Sequence, residues 1–396
     1  MKPVSLCAYT MTSCLGSGLE ATRRALRSGT SGLAPIDFET AALDTFVGEI
    51  AGVDEVRVPA SLAAFDCRNN RAAELGLRQD GFIDAVQAAV GRHGEARIGV
   101  FIGTSTAGIL QTELAYRRRD AGEGALPADF DYRRTHNTFS VAEYVRTRLG
   151  LKGPCAAIST ACSSSAKAFA SAARLIDAGL IDAAVVGGVD TLCLTTLYGF
   201  NSLELLSREP CRPYDAQRGG ISIGEAAAFF LLDRSAARAK VALLGAGESS
   251  DAHHMSSPHP DGLGARRAMQ AALDRAGLRA DAIDYLNLHG TGTQSNDSAE
   301  DRAVVALFGD ELPVNSTKGF TGHTLGAAGA VEAAISALAI EEGMVPASPG
   351  TRALDPQLRA RYQKSAYPAK IDRVLSNSFG FGGSNCSLVL GRAAAG

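Results

Sequence analysis

The sequence predicts an α/β protein, and three observations support this class. Apolar runs typical of buried strands alternate with helix-like stretches that are rich in Ala, Gly and Ser. Over the 396 residues, 46% of the side chains are apolar and 20% are charged, which is typical of a globular chain with a large core. The 43 glycines, together with the absence of Trp, favour helices and strands that pack closely.

Local patterns place the individual elements. Two stretches of small residues, 163–176 and 326–340, predict helices that can lie between sheets. Short apolar runs bounded by glycine or polar residues predict buried strands at residues 97–103, 182–190, 226–232, 241–245, 374–377 and 387–390.

We expect two halves that share one core. The similarity of residues 175–180 to residues 339–344 suggests an internal duplication. The predicted join, at residues 233–240, has no low-complexity linker. We therefore place an N-terminal half at residues 1–237 and a C-terminal half at residues 238–396.

Charge and composition argue against several classes of protein. A net charge of −3 provides no electrostatic attraction to nucleic acid or to an anionic membrane, so we expect neither as a partner. No uninterrupted apolar run reaches the length of about 18 residues that a membrane span needs. The eight cysteines contain no CxxC pair, which argues against a metal site and against a disulfide framework. Without a signal peptide pattern, these features predict a cytoplasmic protein.

Cys162 is the first candidate for chemistry. The segment ISTACSSS, residues 158–165, places it where a loop turns into a predicted helix. The positive end of the helix dipole and the free backbone N–H groups there favour the thiolate, which is the nucleophilic form. From local sequence alone, a buried structural thiol remains the alternative.

Two histidines lie in glycine-rich motifs further along the chain. His289 lies in YLNLHGTGT, where an apolar strand meets a turn, and His323 lies in KGFTGHTLGAAG, directly before the second small-residue helix. Either one alone could be a polar residue satisfied by the fold. The later loop NSFGFGGSN, residues 377–385, lacks the patterns of nucleotide-binding loops but can offer backbone N–H groups to an oxyanion.

These motifs, in this order, closely resemble those of the β-ketoacyl-acyl carrier protein synthases of the elongating type, members of the thiolase-like superfamily. The resemblance runs essentially from end to end and includes CRPYD at residues 211–215 and DAHHMSSP at residues 251–258. It implies a five-layer αβαβα sandwich of two similar halves. It also implies decarboxylative Claisen condensation of an acyl thioester with malonyl-acyl carrier protein, without a resident cofactor, because phosphopantetheine arrives on the carrier.

The resemblance assigns roles residue by residue. Cys162 would accept the acyl group, and its N–H would form an oxyanion hole with that of Phe381. His289 and His323 would bind the malonyl thioester carbonyl and support decarboxylation. The resemblance further implies that Lys318 holds the site together, with Glu332 as its carboxylate partner. It also implies that Thr291 and Thr293 hydrogen-bond the phosphopantetheine arm.

Departures from the family pattern bear on the substrate. The loop TSTAG, residues 104–108, replaces a more glycine-rich and often aliphatic one, and the three serines after Cys162 resemble polyketide-type synthases. We place Thr106 and Phe379 in the substrate pocket. A Thr106 hydroxyl in the pocket wall would favour polyene- or polyketide-like chains over long saturated ones. Alternatively, nearby backbone satisfies the Thr106 hydroxyl, which then does not affect the choice of substrate. The alternative function is housekeeping fatty acid elongation.

Two other classes of protein fit the motifs less well. A non-catalytic chain-length partner subunit would lack the nucleophile, and Cys162 is present. A thiolase needs a second cysteine in a Cys-x-Gly motif, whereas Cys386 is interpreted as a strand residue. Initiating synthases lack the motif that carries Lys318 and His323.

The resemblance also implies partners. Its members are typically homodimers, and a heterodimer with a chain-length partner stays open. The other partner is an acyl carrier protein, whose recognition helix is acidic. Arg68 and Arg71 lie where the family often has basic docking residues, with a solvated surface pair as the alternative.

Overall fold

The computed structural model describes residues 1–235 and 239–393, and its main strands form two groups with the same connectivity. The strands are β1 (Val4–Ser13), β2 (Gly16–Ser17), β3 (Ala34–Pro35), β4 (Phe46–Gly48), β5 (Ile98–Gly103), β6 (Cys155–Ile158), β7 (Ala183–Asp190), β8 (Ile223–Gly224), β9 (Ala226–Asp233), β10 (Val241–Ser250), β11 (Tyr285–Asn287), β12 (Pro313–Asn315), β13 (Met344–Val345), β14 (Arg361–Tyr362), β15 (Tyr367–Pro368), β16 (Arg373–Gly380) and β17 (Ser384–Arg392). The α-helices are α1 (Leu19–Ser28), α2 (Arg68–Leu77), α3 (Phe82–His93), α4 (Ile109–Arg117), α5 (Phe139–Arg148), α6 (Ser164–Asp177), α7 (Leu194–Ser202), α8 (Leu263–Ala276), α9 (Gln294–Phe308), α10 (Lys318–Thr321) and α11 (Ala328–Glu342).

The two groups of strands repeat one topology. In the N-terminal half the order is β6-β5-β7-β9-β1, and in the C-terminal half it is β12-β11-β16-β17-β10, with β14 added at the edge. In each half the first two of these pairings are parallel and the last two are antiparallel. The halves join where β1 pairs with β10. This repetition confirms the predicted duplication, although the predicted boundary at residues 237 and 238 lies outside the described residues.

Helices complete five layers around the two halves of this continuous sheet. Helix α6 contacts β5 and β7 of one half and β10 and β17 of the other, and α11 likewise contacts strands of both halves. These two helices therefore form the middle layer. Helices α2, α3 and α5 cover the outer face of the N-terminal sheet, while α8 covers that of the C-terminal sheet with α9 beside it. The predicted αβαβα sandwich is confirmed.

The middle layer depends on small side chains. Helix α11 is buried from Ala328 to Ile340, and this stretch is mostly Ala and Gly. A Cβ atom added at Gly329 would lie 2.7 Å from the backbone nitrogen of Ala166 in α6. The two helices can approach this closely only because Gly329 has no side chain.

The predicted elements agree with the observed ones apart from their ends. Strand β16 extends three residues beyond the predicted 374–377, and residues 325–327 form a 3-10 turn before α11. Cys386 lies within β17, as predicted. In the described part of the chain, no helix has both the length and the apolar character needed to cross a lipid bilayer.

The close contact in the middle layer gives a first prediction. Gly329→Ala should lower the free energy of unfolding by about 1–3 kcal/mol, because the added methyl meets backbone that cannot move aside. The matched control is Gly91→Ala in α3, where an added Cβ meets nothing within 4 Å. That variant should be up to about 1 kcal/mol more stable than the parent because Ala favours helix. Urea unfolding of both variants checks this, and equal effects would contradict it.

Candidate active site

Cys162 lies in the turn between β6 and α6, where the backbone is unusual. Ala161, the preceding residue, has a φ of +52°, a left-handed conformation that residues other than glycine rarely adopt. The Thr160 N–H donates a hydrogen bond to the Ser164 hydroxyl at 2.9 Å and closes the turn. The turn thus places the Cys162 side chain, which is 6% exposed, directly before α6.

His323 lies between α10 and α11 with its ring against this thiol. Its Nε2 is 2.9 Å from the Cys162 Sγ. Its backbone N–H donates to the Ser222 carbonyl at 2.7 Å, and its carbonyl accepts from the Gly224 N–H at 3.0 Å. These two bonds fix the main chain of His323. Its Nδ1 has no hydrogen-bond partner among the described residues, so nothing on that side fixes the tautomer.

His289 follows β11 and completes the cluster. Its ring meets the ring of His323 edge to face, with the centroids 5.3 Å apart and the planes at 84°. The Glu300 carboxylate on α9 accepts the N–H groups of His289 and Gly290, each at 2.8 Å. The Sγ of Cys162 and one ring nitrogen of each histidine all lie within 4.8 Å of one another.

Lys318 and Glu332 hold the buried side of the cluster. The Lys318 ammonium forms an ion pair with Glu332 and donates to the His289 carbonyl, and both side chains are almost fully buried. It also lies 3.3 Å from Nδ1 of His289. An ammonium can only donate, so Nδ1 is the acceptor and the proton of the neutral ring is on Nε2. His289 therefore offers an N–H donor near the thiol.

Burial and the Lys318 charge together set the protonation of the cluster. Burial first, and then the charge of Lys318, hold the pKa of His289 and that of His323 well below the usual value, so both rings are neutral at pH 7. Burial raises the pKa of Cys162 to about 11, against the opposing effects of the Lys318 charge and of the Phe381 and Cys162 N–H groups. The backbone N–H groups at the start of α6 favour the thiolate, as expected, but the loss of hydration opposes them more strongly.

The cluster also has the ligand types and spacing of a metal site, and Lys318 argues against one. Metal binding by His289 would need a lone pair on Nε2, which carries the proton while Nδ1 accepts from Lys318. A cation would also lie close to the ammonium. The absence of a metal stays a prediction.

Cys162 lies where two cavities meet. A narrow cleft of about 50 Å³ is lined by both histidines and by Thr291, Thr293 and Phe379, all residues singled out from the sequence. The Thr291 and Thr293 hydroxyls are 2.9 Å apart in its wall. An open groove of about 560 Å³ begins on the other side of the thiol. Substrates can thus approach the sulfur from two directions.

Two aromatic rings separate the cleft from the groove. Phe200 on α7 and Phe381 line both cavities, and their ring centroids are 5.6 Å apart. The backbone N–H groups of Phe381 and Cys162 both act to lower the pKa of the Cys162 thiol. Both donors are therefore close enough to stabilise negative charge at the sulfur.

The predicted position of Thr106 in the pocket wall is wrong. Its hydroxyl donates to the buried Asp190 carboxylate at 2.8 Å, and the residue lines neither cavity. Its neighbour Ser105 lines the groove instead. Asp190 also accepts from the N–H groups of Ser105 and Gly326, so it ties this loop to the turn after His323.

The predicted docking role of Arg68 is also wrong, and so is its alternative as a solvated pair. The Arg68 side chain is 5% exposed and forms ion pairs with Glu225, Glu49 and Asp54. Arg71 is partly exposed, but its guanidinium pairs with Asp66 at 2.6 Å. The Arg68 guanidinium is therefore not free to meet a partner, whereas a docking role for the partly exposed Arg71 stays a prediction.

Three further contributors to the site have little or no signal in the sequence. Glu300 supports the His289 backbone, Asp190 organises the Ser105 loop, and α7 supplies a wall of the groove through residues such as Thr196 and Ser202. An acidic residue inside the otherwise small and polar start of α9 was the one available signal for Glu300. Nothing local marked Asp190 or α7, because their partners are distant in sequence.

Comparison with known proteins identifies the family. A sequence model described as "Beta-ketoacyl synthase, N-terminal domain" matches residues 1–237, and one described as "Beta-ketoacyl synthase, C-terminal domain" matches residues 241–352. The chain belongs to the β-ketoacyl synthase family. This β-ketoacyl synthase is 40% identical to the 3-oxoacyl-(acyl-carrier-protein) synthase 2 of Rhizobium meliloti over 315 residues, which cover 74% of each chain.

Two further comparisons cover nearly the whole synthase chain. The 3-oxoacyl-(acyl-carrier-protein) synthase 2 of Vibrio cholerae is 32% identical, with 96% of this chain and 97% of the relative covered. The ketosynthase ApeO of Xenorhabdus doucetiae, solved in complex with its chain length factor ApeC, superimposes with a TM-score of 0.91. It is 37% identical, and 99% of this chain and 98% of that chain are covered.

The charge state of the synthase site gives a second prediction. Because burial raises the pKa of Cys162 to about 11, its thiolate fraction should rise about tenfold per pH unit between pH 6 and 9. Alkylation of Cys162 by iodoacetamide, followed by mass spectrometry of its peptide, should accelerate accordingly without a plateau. A rate that levels off below pH 7 would mean a stable thiolate at rest and contradict the assignment.

Proposed function

We propose that this synthase condenses an acyl thioester with malonyl-acyl carrier protein to give a 3-oxoacyl-acyl carrier protein and carbon dioxide. One observation carries the proposal: the Cys162 sulfur, 2.9 Å from Nε2 of His323, lies beside the His289 Nε2–H donor where two cavities meet. The arrangement supplies a nucleophile, a group that can take its proton, and donors for a developing negative charge.

The first half of the reaction loads Cys162. The thiol gives its proton to His323 as the sulfur attacks the carbonyl carbon of an acyl-carrier thioester. The Cys162 and Phe381 N–H groups stabilise the tetrahedral oxyanion. The bond from carbon to the carrier sulfur then breaks, and the carrier leaves as a thiol with the proton. The acyl chain extends into the groove.

The second half forms the carbon–carbon bond. The malonyl thioester enters the cleft with its carbonyl oxygen toward His289 and His323. Loss of carbon dioxide leaves an enolate, whose oxygen accepts from the Nε2–H of His289. His323 donates to the same oxygen in the tautomer that carries its proton on Nε2, which its Nδ1, without a partner in the described part of the chain, allows. The enolate carbon attacks the carbonyl carbon of the Cys162 thioester, and the bond from that carbon to the Cys162 sulfur breaks. The released thiolate takes a proton from water. Neutral histidines suit this step because a charged imidazolium would protonate the carbanion carbon and waste it.

The carrier supplies the only prosthetic arm that this reaction needs. The paired hydroxyls of Thr291 and Thr293, in the wall of the cleft, suit the amide groups of a phosphopantetheine arm. No resident cofactor or metal has a role in the scheme. Eight free thiols are compatible with a reducing cytosol as the place of action.

The groove favours a specialised substrate, although Thr106 does not contribute. Ser105, Thr195, Thr196 and Ser202 line it beside apolar groups such as Leu203. Each of the four hydroxyls bonds to a partner within the chain and can offer a substrate only its remaining bonding capacity. Such a mixed wall suits polyene- or polyketide-like chains, which carry polarisable or oxygenated groups. The named relatives of the synthase 2 type support housekeeping fatty acid elongation as the second candidate.

The groove also supports a second subunit. It is open, Leu203 in its wall is 51% exposed, and the sheet edge at β6 is only half-buried. A second copy of this chain or a chain-length partner would cover these groups. The likeness to ApeO, solved with its chain length factor, supports the heterodimer, in which this chain would be the catalytic member because it carries Cys162.

The roles of the three catalytic side chains are separable in an assay. Cys162→Gln should abolish acyl transfer and condensation while still releasing carbon dioxide from malonyl-acyl carrier protein. His289→Ala should still accept an acyl group on Cys162, yet lose about 10²–10³ in condensation rate, as the loss of one oxyanion donor does. His323→Ala should lose condensation to a similar extent and should also acylate Cys162 more slowly, because it lacks the group that takes the thiol proton. Intact-mass analysis and radiolabelled carbon dioxide release distinguish the steps. Condensation by Cys162→Ala at the normal rate would refute the function.

The substrate class needs a separate competition. Saturated, conjugated and aryl-conjugated acyl groups on one carrier should compete for Cys162, with the conjugated ones consumed first. The matched variant Thr196→Val keeps the shape of the groove wall and removes one hydroxyl. It should therefore reduce the preference for conjugated over saturated acyl groups. A preference for saturated chains of medium length would contradict the specialised substrate and indicate ordinary fatty acid synthesis.

A further inference from the structure

A buried carboxylate that the reaction scheme does not use joins two segments of the site. Asp190, the last residue of β7, is fully buried. Its two oxygens accept hydrogen bonds of 2.6 to 3.0 Å from the hydroxyls of Thr104 and Thr106 and from the backbone N–H groups of Ser105, Thr106 and Gly326. A buried carboxylate is costly unless it is bonded in this way. The carboxylate therefore fixes the loop after β5 to the turn before α11.

Both of the segments that Asp190 joins contribute to the wall of the groove beside Cys162. Ser105 lines the groove from the loop after β5, and Leu325 lines it from the turn before α11. A Cβ atom added at Gly326 would lie 2.8 Å from an Asp190 oxygen and 2.8 Å from the Ser105 backbone nitrogen. The two segments are thus in close contact, with the carboxylate between them.

Each segment also contains a residue in a strained backbone conformation. The φ angle is +43° at Ala107 and +52° at Leu325, in the left-handed region that residues other than glycine rarely adopt. The Ala107 N–H donates at 3.0 Å to the Thr104 hydroxyl, which itself donates to Asp190. Leu325 directly precedes Gly326, whose N–H donates to Asp190. The bonds to Asp190 therefore hold a backbone that would otherwise relax.

The catalytic side chains have supports that do not involve Asp190. Two hydrogen bonds to residues 222–224 fix the main chain of His323, and the Glu300 carboxylate fixes that of His289. The hydroxyl of the first residue of α6 closes the turn at Cys162. Loss of the Asp190 carboxylate should therefore alter the groove wall and leave the histidines in place.

We propose that Asp190 is a positioning residue that fixes the groove wall beside Cys162 and thereby determines which acyl groups the enzyme accepts. The proposal rests on the proposed function, since it concerns the acyl group loaded on Cys162. Asp190 touches no substrate and acts through Ser105 and Leu325. A long acyl group must extend along this wall, whereas an acetyl group is too short to do so. The effect of Asp190 on loading should therefore depend on the length of the acyl group.

The variant Asp190→Asn tests this dependence in the full-length enzyme. In either orientation of the new amide, its NH₂ group faces backbone N–H donors, so part of the network is lost. Loading of Cys162 from its carrier with the longest acyl group that the unaltered enzyme accepts should slow about 10²-fold, the loss that a small misplacement of bound substrate can cause. Loading from acetyl-carrier should change little. Intact-mass analysis over time measures both rates.

Two further measurements distinguish positioning from general damage to the site. Release of carbon dioxide from malonyl-carrier by Asp190→Asn/Cys162→Gln should equal that by Cys162→Gln alone. Alkylation of Cys162 by iodoacetamide should keep its rate in Asp190→Asn. A milder variant, Thr104→Val, retains the carboxylate but removes one bond to it and the acceptor of the Ala107 N–H. It should slow long-chain loading in the same way by a smaller factor, and it decides the question if Asp190→Asn does not fold.

The matched control is Asp301→Asn. Asp301 on α9 is also buried and accepts the N–H groups of Arg359 and Ala360, but it lines neither cavity at the thiol. This control should keep the ratio of long-chain to acetyl loading. An unchanged ratio in Asp190→Asn, or in Thr104→Val where the first variant does not fold, would overturn the proposal while leaving the condensing function intact. Failure of the unaltered enzyme to load any acyl group would instead refute the proposed function.

Discussion

The ammonium of Lys318 lies buried between the Glu332 carboxylate and the carbonyl and ring of His289, and the chemistry of the cluster depends on it. Burying such a pair is costly unless both partners are hydrogen-bonded, so a purely structural role would be served as well by apolar side chains. What the ammonium adds is a fixed charge. That charge helps to keep both histidines neutral, directs the proton of His289 to Nε2, and partly offsets the burial of Cys162. Removing it would alter three protonation states together.

The same site depends on an unusually close middle layer. Cys162 enters at the start of α6 and His323 lies just before α11, so the distance from Sγ to Nε2 follows from how these two helices pack. Gly329 against Ala166, and similar contacts of small residues, bring the halves together without side chains between them. The duplication therefore has a functional reason: each half contributes one small-residue helix, and the catalytic atoms meet between them.

The sequence could predict what depends on local pattern. The apolar runs predicted β5, β7 and β9 almost to the residue, and the motifs predicted Cys162, His289 and His323, because glycine and small residues around a reactive group leave a local signature. What failed depended on partners far along the chain. The hydroxyl of Thr106 bonds to Asp190 instead of facing the pocket, and Arg68 is held in the interior by its ion pair with Glu225. In both pairs the partner is far away in the sequence. The burial that raises the pKa of Cys162 has no local sequence signal for the same reason, since burial is a property of the whole fold.

The central claim is that Cys162 receives an acyl group whose oxygen faces two backbone donors and whose chain leaves by the groove. A crystal structure of the enzyme acylated at Cys162 tests this most directly. We expect the thioester oxygen within hydrogen-bond distance of the Cys162 and Phe381 nitrogens, with the chain along α7 and the cleft at Thr291 and Thr293 left free for the malonyl carrier. A chain that occupies the cleft instead, or an oxygen that meets neither nitrogen, would contradict the account.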